Sequence, residues 1–120
     1  MNKRSKGSEY EEKACAYLSI NGVRILKQNF RCRYGEIDII GCDGDTLVFF
    51  EVKQRKNIKS GFASEAVDIK KQLIISQVSD HFRALKNEYF EMPVRYDVIA
   101  IDGEDISWMK NAFDYLGKGY

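Results

Sequence analysis

Proline is almost missing from this sequence: Pro93 is the one proline in 120 residues. Together with 44% apolar and 31% charged residues, that scarcity argues against a disordered or fibrous chain and for one globular domain over residues 1–120. Histidine is as scarce. His81 is the only one, and it lies far in sequence from the three cysteines, Cys15, Cys32 and Cys42, which share no CxxC spacing. A zinc site needs four convergent nitrogen or sulfur ligands, so the pattern argues against one, and the odd cysteine count reads as reduced, small, buried residues. There is no apolar run of membrane-spanning length, and the basic start Met1–Lys6 leads into an acidic helical stretch instead of the apolar segment of a signal peptide. The expected location is cytoplasmic, with no membrane partner. An excess of one charge is missing too: 19 basic and 18 acidic residues leave a formal net charge of +1, unlike a protein that coats nucleic acid non-specifically.

What is present is an ordered series of patterned segments. From Ser8 to Asn21, Tyr10, Ala14, Tyr17 and Leu18 recur at helical spacing, with Ser8 as a candidate cap and Gly22 as a stop. A strand is expected from about Val23 to Cys32, irregular near Gln28 and Asn29. Two β-branched and aromatic runs, Glu36–Ile40 and Thr46–Lys53, flank Asp43-Gly44 and predict an antiparallel hairpin. A polar loop follows, with Lys53, Arg55, Lys56 and Lys59 close together. Ala66, Ile69, Leu73, Ile74, Val78, Phe82 and Leu85 then mark a long amphipathic helix from about Ser64 to Leu85. After Pro93, Val94–Ile101 reads as a central strand, so the helix is the crossover of a parallel pairing. Ile106–Met109 predicts a short edge strand, and Asn111–Leu116 a last helical turn or two.

The hairpin carries the chemistry. With Asp43 and Gly44 as the two central turn residues, Asp38 faces Phe49 and Glu36 faces Glu51. Strand alternation then puts Glu36, Asp38, Glu51 and Lys53 on one face, and Ile37, Ile39, Val48, Phe50 and Val52 on the other. A like-charge cross-strand pair is unfavourable unless something offsets it. Mg²⁺ would, because it takes oxygen ligands and commonly only one or two protein carboxylates beside water and substrate phosphate. The plain alternative is a solvated hairpin face in which Lys53 compensates the acids. The chemistry that fits the first account is phosphodiester hydrolysis, with Asp38 and Glu51 as metal ligands, Glu36 as a further ligand or an orienting group, and Lys53 supplying positive charge.

Gly35–Ile40, Asp43–Phe49, Glu51-Val52-Lys53, Glu65-Ala66-Val67, Lys71-Gln72 and Pro93–Val98 together resemble the bacterial YraN family over nearly the whole chain. That resemblance implies an α/β restriction-endonuclease-like core of the PD-(D/E)xK superfamily, similar to archaeal Holliday-junction resolvases. It implies a mixed β-sheet with an antiparallel hairpin and a parallel crossover helix, flanked by helices, and Mg²⁺-dependent (or Mn²⁺-dependent) chemistry at Asp38, Glu51 and Lys53. An acidic residue of the first helix also reaches the site in those relatives; alignment on Tyr17-Leu18 points to Glu11, with Glu9 as the competing choice. The chain departs from the family pattern at Gln54, where Thr is usual, at Phe62, where Pro is usual, and at Tyr10, where Gly is usual. Arg55, Lys56, Lys71 and Gln72 are the expected contacts to nucleic acid, although solvated surface charge is the plainer account of them.

The expected function is a metal-dependent endonuclease that hydrolyses phosphodiester bonds in structured or branched DNA. A homodimer would suit a two-strand substrate. The alternative is a non-catalytic nucleic-acid-binding domain that keeps the nuclease fold, which the near-neutral charge favours.

Overall fold

The computed structural model describes residues 6–54 and 67–117. Helix α1 (Lys6–Ile20) leads into strands β1 (Arg24–Cys32), β2 (Gly35–Asp43) and β3 (Thr46–Gln54). Helices α2 (Ile69–Arg83) and α3 (Asn87–Glu91) follow, then β4 (Val94–Asp102) and β5 (Asp105–Phe113). The strands form one mixed sheet in the order β1-β2-β3-β4-β5. Only β3 and β4 pair in parallel, with Leu47 beside Val94 and Glu51 beside Val98; the other three neighbours are antiparallel. The expected mixed sheet, hairpin and crossover helix are therefore present.

The helices cover opposite faces. On one, Ala14 and Leu18 of α1 pack with Ile39, Val48, Phe50, Ile99 and Ile101. On the other, Ile75, Val78 and Phe82 of α2 pack with Ile37, Ile40, Leu47, Phe49, Tyr96 and Val98. Burial of these branched and aromatic side chains on both faces of the central strands is the main force that holds the layers. No helix among the described residues is long and apolar enough to cross a membrane.

Several expected boundaries move. Helix α1 starts at Lys6, ahead of Ser8, so Ser8 is not its cap; it does stop at Gly22, whose φ of 92° is one that L side chains avoid. Helix α2 starts at Ile69, where the Asp68 carboxylate accepts from the Lys71 N–H at 2.9 Å. Its buried side is Ile75, Ser76, Val78, Ser79 and Phe82, whereas Ile69 and Leu85 are exposed. The final helical turns expected at Asn111–Leu116 do not form, because β5 continues to Phe113 through an irregularity at Asn111, where φ is 56°. The Asn111 N–H donates to Asp97 at 2.9 Å, which anchors that kink. The linker around Pro93 holds the short helix α3, which the sequence pattern did not predict. Of the cysteines, all free, only Cys42 is buried; Cys15 and Cys32 are half-buried.

A buried charge network ties the turn end of the hairpin to β4 and β5. Asp97 is fully buried and accepts from Arg95 Nε at 2.9 Å and Trp108 Nε1 at 2.8 Å. Arg95 also donates to Asp43 at 2.8 Å, which holds the Asp43 carboxyl below its usual range. Every charge in the set has a hydrogen-bonded partner, the condition under which buried charge is tolerated.

Candidate active site

The hairpin turn is shifted by one residue from the expected one. Asp43 pairs with Thr46, so Gly44 and Asp45 are the central residues and Gly44 takes a φ of 62°. A positive φ at the first central position is the requirement of a II′ turn. The shift moves every cross-strand partner by two residues: Ile40 meets Phe49 and Ile39 meets Phe50. Glu36 therefore does not face Glu51, and Asp38 is the residue in step with Glu51.

The β2–β3 ladder ends at Ile39 and Phe50. Beyond that point β2 continues against β1 as far as Gly35, and β3 continues against β4 as far as Gln54. The two strands part into a wedge, with Asp38 and Glu51 the first residues on its two sides. The Asp38 carboxylate partly closes the gap by accepting a hydrogen bond from the Val52 N–H at 2.8 Å.

Regular alternation also breaks here. Ile37 packs in the cluster under α2, whereas Ile39 packs in the cluster under α1. Residues two apart in a strand ordinarily share a face. On β1, Asn29 lies between the pairs Gln28–Ile39 and Phe30–Ile37 and takes a φ of 54°. The kink shared by Asn29 and Asp38 turns Asp38 out of the alternation and into the wedge. The expected single face, with both Ile37 and Ile39 behind it, is thereby corrected, yet Asp38 and Glu51 still meet.

Glu51 is 5% exposed. Its Oε2 lies 3.5 Å from Lys53 Nζ and 3.5 Å from Lys71 Nζ, while Oε1 is buried with no hydrogen-bond partner among the described residues. Burial, reinforced by the Asp38 carboxylate and opposed by Lys71 and Lys53, pushes its pKa up to about 7. Burial likewise raises Asp38, against the pull of the Val52 hydrogen bond and Lys71. Glu11 of α1 stands beside Asn29 and Asp38, and burial and the Asp38 charge raise its pKa. Glu11, rather than the exposed Glu9, is thus the α1 acid that reaches the wedge.

The remaining expected residues are spread more widely. Glu36 is half-buried and forms an ion pair with Arg31 at 3.4 Å, on the β1 side. Gln72 donates its amide to the Val67 carbonyl at 2.8 Å, a bond that fixes the start of α2. Arg55 and Lys56 lie outside the described residues. Lys71, expected at a nucleic-acid surface, stands in the site. Its place was implicit in topology: a crossover helix starts near the carboxyl end of the strand before it, where α/β sheets gather their ligands. The irregularity expected near Gln28 and Asn29 is present at Asn29, a residue type that tolerates φ > 0, whereas its place beside the site was not expected.

The donor set fits a hard divalent cation. An unpartnered buried carboxylate oxygen is costly, and a cation would satisfy Glu51 Oε1. No group of three or more His, Cys, Asp or Glu side chains stands ready to hold an ion among the described residues. The offer is two carboxylates, Asp38 and Glu51, leaving other positions to water or phosphate oxygen in the manner of Mg²⁺.

Residues 10–101 match the model of the uncharacterised protein family UPF0102. The chain belongs to this family. A UPF0102 protein of Lachnoclostridium phytofermentans is 42% identical over 118 residues, which span 98% of this chain and 100% of that one. A UPF0102 protein of Pseudoalteromonas translucida is 44% identical over 115 residues, 93% of each chain, and one of Nitrosomonas eutropha is 42% identical over 112 residues, 92% of this chain and 95% of that one. UPF0102 names carry neither activity nor ligand, so the chemistry rests on the site's own residues.

Proposed function

We propose that this UPF0102 chain is a metal-dependent endonuclease of the restriction-endonuclease-like, PD-(D/E)xK type, hydrolysing phosphodiester bonds in structured or branched DNA in the cytoplasm. The observation that carries the reading is the pairing of half-buried Asp38 and buried Glu51 across a strand wedge, with Glu51 Oε1 unpartnered among the described residues and two lysines on Oε2.

In this reading Asp38 and Glu51 hold Mg²⁺ or Mn²⁺, which when bound supplies Lewis-acid polarisation of the phosphoryl group. Water attacks phosphorus, one P–O ester bond breaks, and the leaving oxygen takes up a proton. Lys53 and Lys71 stand beside Glu51 and bring positive charge to the side on which negative charge grows. Glu11 orients Asp38 from α1. The kinked backbone at Asn29 and the Val52 N–H hold Asp38 toward the wedge, so its position does not depend on a bound ion.

The test is a cleavage panel with Mg²⁺ and Mn²⁺ over junction, flap, single-stranded and duplex DNA, and RNA. Wild type is expected to cut, and Asp38→Ala and Glu51→Ala are expected to be silent. Cleavage that survives both substitutions overturns the site. The second reading, a non-catalytic nucleic-acid-binding domain, draws on the fact that Lys53 and Lys71 already neutralise Glu51; a wild type that binds yet cuts nothing favours it.

A further inference from the structure

Strand β1 is one edge of the sheet. From Arg24 to Tyr34 the chain carries Arg24, Lys27, Arg31 and Arg33 and no acid, although its net charge is only +1. All four cations are exposed. Cations on an edge strand by themselves discourage sheet-to-sheet pairing and need no ligand to explain them. The neighbouring rings are the independent observation.

A series of rings climbs from the core to the surface at the end of β1. Phe82 meets Phe30 edge-on at 5.1 Å between centroids, Phe30 meets His81 at 6.2 Å, and His81 meets Tyr34 at 6.3 Å. The Arg33 guanidinium lies 5.0 Å from the Tyr34 ring centroid and donates to the Tyr34 hydroxyl at 2.9 Å. Tyr34 is 36% exposed and His81 is exposed. A cavity of about 190 Å³ opens beside them, lined by Tyr34, Gln77, Asp80 and His81. Asp80, its one acid, accepts from the Tyr115 hydroxyl at 2.7 Å. The result is a ledge of exposed rings and a guanidinium, its planes inclined to one another by 40° between Phe30 and His81 and 65° between His81 and Tyr34, and anchored through Phe30 to the core.

A row of cations that ends in a stacking ledge suits a ligand with regularly spaced negative charges and accessible flat faces. A single-stranded polynucleotide has both, whereas a duplex hides its base faces in the stack. The row also leads to the wedge. Asn29, in the same strand, lies between the pairs Gln28–Ile39 and Phe30–Ile37 and so stands opposite Asp38.

We propose that the β1 edge and the Arg33–Tyr34–His81 ledge form a track for a single-stranded polynucleotide, delivering it to the Asp38–Glu51 wedge. The track stands on its own observations; the delivery rests on the nuclease reading. Phosphates lie along Arg24 and Lys27, Arg31 being ion-paired with Glu36 at 3.4 Å, and a base stacks on Tyr34.

The test is fluorescence anisotropy with labelled oligothymidine and oligouridine, and with a labelled DNA duplex, in EDTA so that no cleavage intervenes. Tyr34→Ala is expected to weaken single-strand binding about tenfold. Lys27→Ala is expected to reduce the slope of log affinity against log salt by about 0.7, the single-strand value for one phosphate contact. Lys110→Ala, on the far edge strand β5, serves as the control and is expected to change neither. Thermal unfolding of each variant separates lost binding from lost folding, and Tyr34→Phe, which keeps the ring, is expected to restore affinity. Weakening on either polymer upholds the track, and the tighter polymer identifies the strand as DNA or RNA. Single-strand binding unchanged in Tyr34→Ala and Lys27→Ala overturns it, as does tighter binding of duplex than of either single strand. A wild type that binds by these residues and never cuts retains the track and sinks the nuclease reading; one that cuts while Tyr34→Ala binds normally does the reverse.

Discussion

The Asp38 carboxylate accepts a hydrogen bond from the Val52 N–H at 2.8 Å, across the gap where β2 and β3 have stopped pairing. One side chain thus replaces a ladder bond and presents charge to the wedge. The two roles separate by substitution. Asp38→Asn keeps an acceptor for Val52 while removing the charge beside Glu51, so stability at neutral pH is expected to rise by about 1 kcal/mol while metal-dependent cleavage disappears. Asp38→Ala loses both roles and is expected to cost about 1–2 kcal/mol relative to Asp38→Asn. Denaturant unfolding of the two variants beside cleavage assays checks the split, and equal stabilities would remove the structural role.

Glu51 sets the pH dependence. Its carboxyl titrates near 4.5 when exposed and is pushed up to about 7 by burial and by Asp38. The folded state therefore binds the proton more tightly than the unfolded one, so this group favours folding most below about pH 4.5 and loses that contribution as pH rises through about 7. The loss is on the order of a few kcal/mol. Mg²⁺ competes with the proton, so the same ion is expected to raise Tm strongly above about pH 7 and little near pH 5. Thermal scans with and without Mg²⁺ across this range check it, and a Tm shift independent of pH would exclude Glu51 as the ligand.

Convergence of Asp38 and Glu51 was legible in the sequence because of parity. The expected turn was Asp43-Gly44 and the observed one is Gly44-Asp45, which moves each partner by two residues, an even step that leaves a strand's faces unchanged. Residue types also fixed the alternation of hydrophobic runs, hence the hairpin, the crossover helix and the parallel β4. The kink at Asn29 and Asp38 was not legible in full, since it exchanges Ile37 and Ile39 between two apolar clusters and either placement satisfies a hydrophobic residue. The same limit hid the inner side of α2, where Ser76 and Ser79 are buried through hydrogen bonds to the Gln72 carbonyl and the Tyr96 hydroxyl. A serine's partner in another element leaves no periodic mark.

Lys71 and Lys53 touch the same oxygen of Glu51 from different elements, each at 3.5 Å. Removal of either raises the Glu51 pKa further, so Lys71→Met and Lys53→Met are each expected to move the onset of Mg²⁺ stabilisation to higher pH. The pH at which Mg²⁺ begins to raise Tm is the measurement. An onset unchanged in Lys71→Met would return that residue to the solvated surface.

The Asp97 network runs from Asp97, the strand partner of Phe50, back to Asp43 at the turn. Side-chain alternation puts Asp97 on the face of the sheet opposite Glu51, so the network is expected to govern stability and not chemistry. Asp97→Asn preserves size but leaves an acceptor for only one of Trp108 Nε1 and the Asn111 N–H, which meet different oxygens, and it removes the anion that Arg95 meets inside the protein. Breaking one half of a buried ion pair strands the other, at a cost of about 3 kcal/mol. Asp43 still engages Arg95 at 2.8 Å, which limits the loss. Asp43→Asn combined with Asp97→Asn leaves the guanidinium with neither carboxylate and is expected to destabilise by more than the sum of the single changes. Cleavage per folded molecule, measured well below each variant's Tm, is expected to match wild type; a drop there would tie the network to the wedge through the β3–β4 pairing.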